Sequence, residues 1–254
     1  MTQGRIAGFL DELISRTRAL LVEHDIGYDD YERIKGGIVA VGKAGEWDLL
    51  LDILFESTVE VHNANRAASP GAVQGPFYVP ESPLLPARCS LPRAGGGDAE
   101  TLRLTGGVRS ADGTPLAGAV LDVWQSDEFG LYSHFAPGIP DFALRGRVVT
   151  DDEGRFDIGT IVPGAYQVPV DGPSGRLFAL LGLHAWRPAH VHFIITAPGH
   201  EPLTTQLYFA GDPWLETDVA NGVKDELVLR PAVVGDKAVA ADYDFVLAPG
   251  SSRP

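Results

Sequence analysis

The segment AHVHFII at 189–195 sets two imidazoles, His190 and His192, one residue apart. Alternation along a strand places His190, His192 and Ile194 on one face and Val191, Phe193 and Ile195 on the other. The two Cα atoms then lie about 6–7 Å apart, close enough for both rings to converge on one metal ion. A solvated strand face gives the same spacing, so the pair alone decides nothing. A metal needs further ligands, and the candidates are Tyr132 in DEFGLYSH, Tyr166 in PGAYQVP, His134, His184 and several acids. A phenol, with a pKa of about 10, ionises readily only beside a strongly charged hard cation such as Fe(III), whose charge the phenolate offsets. A loop tyrosine packed on the core rim is the ordinary alternative for each.

The elements that must carry these residues change character along the chain. In residues 1–65, Ile6, Phe9, Leu10, Leu13, Ile14, Thr17, Leu20 and Leu21 recur at helical spacing, predicting an amphipathic helix. Tyr31, Ile34, Ile38, Val39 and Val41 predict a second helix closing at Gly42 to Gly45. Trp47, Leu50, Leu51, Ile53, Leu54, Val59 and Val61 predict a third, apolar over so much of its circumference that it must be buried. Helical pattern stops near Asn65. Across 66–100, prolines at 70, 76, 80, 83, 86 and 92 and the run Gly95, Gly96, Gly97 predict an irregular connector, with QGPFY too aromatic for a free linker.

From 101 to 254 the period becomes two. TLRLTGGVRS and AGAVLDVWQS flank ADGTP, and LRGRVVT and RFDIGTIV flank DDEG, so both pairs read as hairpins. Further strands are expected at AHVHFIITA, LTTQLYFA, DELVLR and DYDFVLA, with no helical pattern between them. The expected fold is mainly β with α: an antiparallel β-sandwich catalytic domain carrying an N-terminal helical cap.

Composition narrows the function classes. The 254 residues carry 20 Lys and Arg against 34 Asp and Glu, a formal charge of −14 with no basic patch, which excludes a nucleic-acid partner. The acids are spread over cap and sandwich, where they serve solubility. The single cysteine, Cys89, cannot form an internal disulfide. The N-terminus carries acids where a signal peptide is apolar, and no run is long enough for a membrane span, so a cytoplasmic location is expected.

Read together, QGPFY (74–78), LDVWQSDEFGLYS (121–133), LRGRVVTDDEGRF (144–156), IVPGAYQVPVDGPSG (161–175), WRPAHVHF (186–193), LTTQLYF (203–209) and DPWLETDVANGVKDEL (212–227) resemble the intradiol ring-cleavage dioxygenases. The order tyrosine, tyrosine, RPAH-x-H at these intervals is specific, and the similarity runs over nearly the whole chain. VGKAGEWDLLLDILFESTVE (41–60), the short cap and the length resemble the chlorocatechol and catechol 1,2-dioxygenases within that family.

The resemblance implies a non-haem Fe(III) held by Tyr132, Tyr166, His190 and His192, with Tyr166 also the base that takes a proton from an incoming diol. It implies cleavage of catechol or chlorocatechols by O2 between the two hydroxylated carbons to cis,cis-muconates, or of hydroxyquinol to maleylacetate. Arg187 is expected beside the reacting ring carbon, where it stabilises negative charge, and Gln206 as an amide that holds hydroxide or an imidazole. The substrate pocket is expected where cap and connector meet the sandwich, at Leu49, Asp52, Ile53, Val73, Gln74, Gly75, Pro76, Phe77 and Tyr78, with Val168, Pro169 and Ala220 opposite. The apolar helices and the resemblance together imply a homodimer through the N-terminal helices, with a phospholipid at its interface. Two readings of other classes compete: a metal-free β-sandwich binding module, and a zinc hydrolase built on His190 and His192 with a carboxylate as third ligand.

Overall fold

The computed structural model describes residues 3–63, 68–93 and 98–250. The expected helix end near Asn65 and the Gly95, Gly96, Gly97 run lie outside them. The chain forms two compact units, Met1–Glu46 and Trp47–Pro254.

The first unit holds α1 (Gln3–Glu23) and α2 (Tyr28–Ala44). α1 has no buried residue, and its stripe of Ile6, Phe9, Leu10, Leu13, Ile14 and Leu20 is exposed. α2 ends as its glycines require: Gly45 takes φ +71° and its N–H reaches back to the Gly42 carbonyl.

The second unit opens with α3 (Trp47–Leu51), a π-helical turn (Asp52–Glu56) and α4 (Ser57–Asn63). The single buried helix expected here is therefore corrected in two respects. The π turn inserts a residue into the helical register, and only one side is covered: Leu49, Leu50 and Ile53 are buried, whereas Trp47, Leu51, Phe55, Val59 and Val61 are exposed.

The remainder is a sandwich of two six-stranded sheets. In the first, β1 (Leu84–Leu85), β5 (Arg145–Val149), β4 (Val120–Gln125), β9 (His190–Thr196), β10 (Leu203–Phe209) and β11 (Val228–Leu229) lie side by side in that order. In the second the order is β12 (Ala232–Gly235), β13 (Ala238–Asp242), β3 (Thr101–Ser110), β6 (Arg155–Ile161) and β2 (Arg88–Ser90), with β14 (Phe245–Leu247) also along β3. A separate ribbon pairs β7 (Tyr166–Gln167) with β8 (Trp186–Arg187), and α5 (Pro173–Leu180) lies between them in sequence. The helix was not expected from the sequence, although Pro173 in its first turn is a start signal.

The sheets are mixed rather than strictly antiparallel. β1 with β5, β2 with β6, β11 with β10, and β13 and β14 with β3 all pair in parallel. Each of these pairs joins strands separated by a long stretch of chain, which can return in either direction. Two of them, β1 and β2, lie inside the connector expected to be irregular. The expected hairpins are corrected as well: β3 and β4 fall in opposite sheets, and so do β5 and β6. The turns form, with Asp112 and Asp151 accepting backbone N–H bonds, but a tight turn does not specify whether the next strand pairs alongside or crosses to the facing sheet.

Leu121, Val123, Val191, Phe193, Ile195 and Leu207 from the first sheet meet Leu102, Leu104, Phe156, Ile158, Val239 and Phe245 from the second in one core. Each side chain buried there contributes about 1.5–3 kcal/mol. This fixes the apolar side of AHVHFII against the second sheet and turns its histidines the other way.

Candidate active site

Strand register assembles the histidine face. In β9, His192 stands opposite Trp124 of β4 and Gln206 of β10, and His190 opposite Tyr208. Trp124 lies flat on the His192 ring, centroids 4.5 Å apart and planes within 8°. The Gln206 amide nitrogen lies 3.1 Å from His192 Nδ1. Both histidines are about 1% exposed, so this face is an enclosed site and not a solvated surface.

His190 Nδ1 sits 2.6 Å from the Pro188 carbonyl, which only accepts, so Nδ1 carries the proton and the lone pair is on Nε2. That Nε2 is 2.9 Å from His192 Nε2, and the Tyr132 hydroxyl is 3.2 Å from the same His192 nitrogen. The Tyr166 ring is 5.5 Å from His190 and 5.3 Å from Tyr132, and its hydroxyl is buried, with Tyr132 and Arg187 the groups that act on it electrostatically. Tyr132 reaches this point from the loop after β4. There Gly130, at φ +82°, packs so closely on the neighbouring loop that a Cβ would lie 2.8 Å from that of Tyr166. Tyr166 comes from β7, paired directly with Arg187 of β8.

Burial, reinforced by the Arg187 cation, lowers the His190 pKa to about 3, and burial with the neighbouring His190 holds His192 well below its ordinary value. Both imidazoles are thus neutral and available as ligands. Burial raises Tyr132, with Tyr166 adding to the effect, and raises Tyr166 against the opposing pull of Arg187. These phenols keep their protons unless a cation compensates. Among the described residues no group of three His, Cys, Asp or Glu side chains is placed to hold a metal, so the carboxylate that a zinc hydrolase needs is not at hand.

Arg187 is 1% exposed and is gripped by Asp218 through Nε to Oδ1 and Nη2 to Oδ2, each 3.0 Å. Its Nη2 also donates to Gln206 Oε1 at 2.9 Å, and its Nη1 lies 3.4 Å from His190 Nε2. Gln206 is fully buried; its amide nitrogen donates to the Val73 carbonyl, which ties the connector to the site. The backbone at Gly222 passes close by, and a Cβ there would lie 3.0 Å from Arg187 Nη2.

Leu49, Asp52, Ile53, Val73, Gly75, Pro76, Val168 and Ala220 line one narrow cleft together with Arg187 and Glu56. The residues lining this cleft do not include four others expected at the pocket. Gln74 is held by its backbone N–H on Glu56 Oε1 at 3.0 Å, and Pro169 is exposed. Phe77 stacks on Tyr132 with ring centroids 4.6 Å apart. Tyr78 donates to Asp122 at 3.0 Å. Gly75 takes φ +71° and residues 76–77 form a turn, so the side chains of 73–78 fan out in different directions.

The family model described as "Dioxygenase" matches residues 73–249. A chlorocatechol 1,2-dioxygenase of Rhodococcus opacus is 42% identical, covering 97% of this chain and 99% of its own length. The chain belongs to the intradiol dioxygenase family. The crystal structure of 3-chlorocatechol 1,2-dioxygenase from Rhodococcus opacus 1CP superposes on this dioxygenase with a TM-score of 0.90 at 38% identity, covering 98% of this chain and all of the other. A hydroxyquinol 1,2-dioxygenase of a Rhizobium species is 37% identical over 80% of this chain and 74% of its own.

Sequence reasoning passed over four residues of this dioxygenase's site. Tyr208 stands two after Gln206, so period two could have found it, and Glu56 stands one turn after Asp52. Asp218 caps the loop by accepting the Ala220 and Gly222 N–H groups, a local pattern that an Asp before a glycine suggests. Trp124 had no local signal, because its place beside His192 is set by strand register.

Proposed function

We propose that this dioxygenase holds one non-haem Fe(III) between Tyr132, Tyr166, His190 and His192. It opens catechol or a chlorocatechol between the two hydroxylated carbons, both atoms of O2 entering the cis,cis-muconate. The observation that carries the reading is the convergence of two neutral imidazole nitrogens 2.9 Å apart with the Tyr132 hydroxyl, beside the buried Tyr166 ring 5.5 Å from His190 and 5.3 Å from Tyr132. Two phenolates and two imidazoles are a hard, anionic donor set suited to a ferric ion. A ferric ion held by these residues would supply the Lewis acidity and covalency that make an aromatic diol reactive toward O2.

The chain's own groups do the rest. Tyr166 would accept a diol proton at its phenolate oxygen. Arg187, fixed by Asp218 and Gln206, presents positive charge to the cavity and stabilises negative charge developing on the ring. Trp124 and Gln206 hold the His192 ring from its face and its Nδ1 side. The apolar walls Leu49, Ile53, Val73 and Val168 exclude water and receive the ring and its substituent.

A second substrate reading rests on Asp52, whose carboxylate lines the same cavity and would accept a hydrogen bond from a third ring hydroxyl, as hydroxyquinol has. For assembly, residues 1–65 serve as the dimerisation region, 66–100 lend the pocket one wall, and 101–254 carry the catalysis. The exposed stripe of α1 supports a two-fold homodimer with a phospholipid tail at its interface: burying four such side chains contributes about 6–12 kcal/mol before association entropy. No helix among the described residues is long and apolar enough to cross a membrane. The cytoplasm is the compartment this reading assigns.

Metal analysis, a visible spectrum and product identification test it. Red to burgundy protein with about one iron per chain and a muconate absorbing in the ultraviolet is expected. Colourless active enzyme, or a yellow semialdehyde product, refutes it.

A further inference from the structure

Arg145 is a buried cation that the chemistry above does not use. It is 1% exposed, and among the described residues it forms no ion pair with a carboxylate. Its donors go to neutral oxygens: Nε to Ser133 Oγ at 2.8 Å, Nη2 to the Ser133 carbonyl at 3.1 Å, and Nη1 to the Phe77 carbonyl at 2.8 Å. Asp122, which contributes to its electrostatic surroundings, already has its two oxygens on Tyr78 and Ser82. An isolated buried charge is costly, so its partners deserve a functional account.

All of them converge on Tyr132. Ser133 is its chain neighbour, so the Arg145 bonds to Ser133 fix the main chain that carries the tyrosine. Phe77 stacks on the Tyr132 ring at 4.6 Å, so the bond to the Phe77 carbonyl fixes the group covering that ring. The guanidinium carbon itself lies 5.9 Å from the centre of the same ring. Connector and ligand loop, more than fifty residues apart in sequence, meet at one planar fork, which a lysine cannot imitate.

We propose that Arg145 is a positioning residue for Tyr132, pinning the Phe77 and Ser133 backbones so that the phenol oxygen is held at the His192 nitrogen. The proposal rests on the reading of Tyr132 as an iron ligand. It places in the β5 strand, outside the tyrosine and histidine motifs, a residue that sets the geometry of one phenolate.

The test uses the holoenzyme variants Arg145→Met, Arg145→Lys and Ser133→Ala, with Tyr132→Phe alongside. In Arg145→Met the visible phenolate-to-iron band is displaced at unchanged iron content, kcat falls by roughly tenfold or more through misplacement of a reacting group, and KM changes less. The iron-free variant also shows altered near-ultraviolet circular dichroism from the Phe77 and Tyr132 rings. Arg145→Lys restores the band only in part. A folded Arg145→Met with the wild-type band overturns the proposal, since a purely structural arginine lowers stability without moving it. Where Arg145→Met does not fold, Ser133→Ala, which removes one acceptor, decides: a displaced band supports the clamp and an unmoved one overturns it. Tyr132→Phe separates the two levels. If it keeps the full band, the ligand reading fails and the clamp with it; if it loses the band while Arg145→Met keeps its own, only the clamp fails.

Discussion

Arg187 and Asp218 face each other fork to fork in the interior, two N···O contacts of 3.0 Å joining side chains that are almost wholly buried. The pair leaves the Nη1 side of the guanidinium toward His190 and the cavity. Burial opposes the Asp218 charge, yet the Arg187 guanidinium and its hydrogen bonds hold the carboxyl below its ordinary value. A depressed carboxyl contributes stability that is present above the unfolded value of about 4 and is lost as pH falls through the folded value. Asp218→Asn leaves Arg187 buried without its counter-charge, and chemical denaturation at pH 7 should show a loss of about 3–5 kcal/mol. Much of that difference should disappear in strong acid, where the wild-type carboxyl is itself protonated. An unchanged midpoint at pH 7 would show that the pair adds nothing to the fold.

The two tyrosines should separate by spectrum. Tyr132, held at His192 and under Phe77, is expected to stay a phenolate throughout turnover, so Tyr132→Phe should abolish much of the visible colour of the ferric protein. Tyr166→Phe removes the base, so it should retain colour from Tyr132 yet lose turnover more steeply, by the 10²–10⁴-fold typical of a lost proton acceptor. Equal spectra for the two variants would mean that their roles are not distinct.

Asp52 makes the pocket sensitive to pH. Burial, then Glu56 and Asp48, raise its pKa to about 6, so the fold favours the protonated form. The sign follows: the native state binds the extra proton between pH 4 and 6, and the wild type loses stability as pH rises through that window. Asp52→Asn should therefore melt higher than wild type at pH 7.5, with the advantage vanishing near pH 4. If Asp52 also accepts a ring hydroxyl, the same variant should raise KM for hydroxyquinol and leave KM for catechol and 4-chlorocatechol little changed. A KM increase for all three would assign Asp52 to pocket shape alone.

Assembly is tested through α1. Light scattering should give a mass near twice the 27.1 kDa of the chain, and extraction with mass spectrometry should detect phospholipid. Replacing Leu10 and Ile14, both about half exposed, by Glu should yield a monomer with its iron site intact. A wild-type monomer at micromolar concentration would refute the dimer and the lipid site together.

The sequence by itself determined the parts whose signal is local. Period two in AHVHFII faced the histidines together, helical spacing and Gly45 marked the N-terminal helices, and the tyrosine and RPAH-x-H order carried the family. Tertiary structure decided what local signals cannot encode. Turn residues at ADGTP and DDEG announced reversals, but facing sheets and neighbouring strands are reached by the same turn, so the two expected hairpins became sheet crossings. Trp124 meets His192 only through the register of β4 on β9, and Asp218 meets Arg187 only because a loop folds back across β8. Arg145 reads from its sequence as an ordinary polar strand residue. Its burial, and the Phe77 and Ser133 carbonyls that make that burial tolerable, exist only after connector and sandwich have packed, because long-range hydrogen bonds leave no periodic trace along the chain.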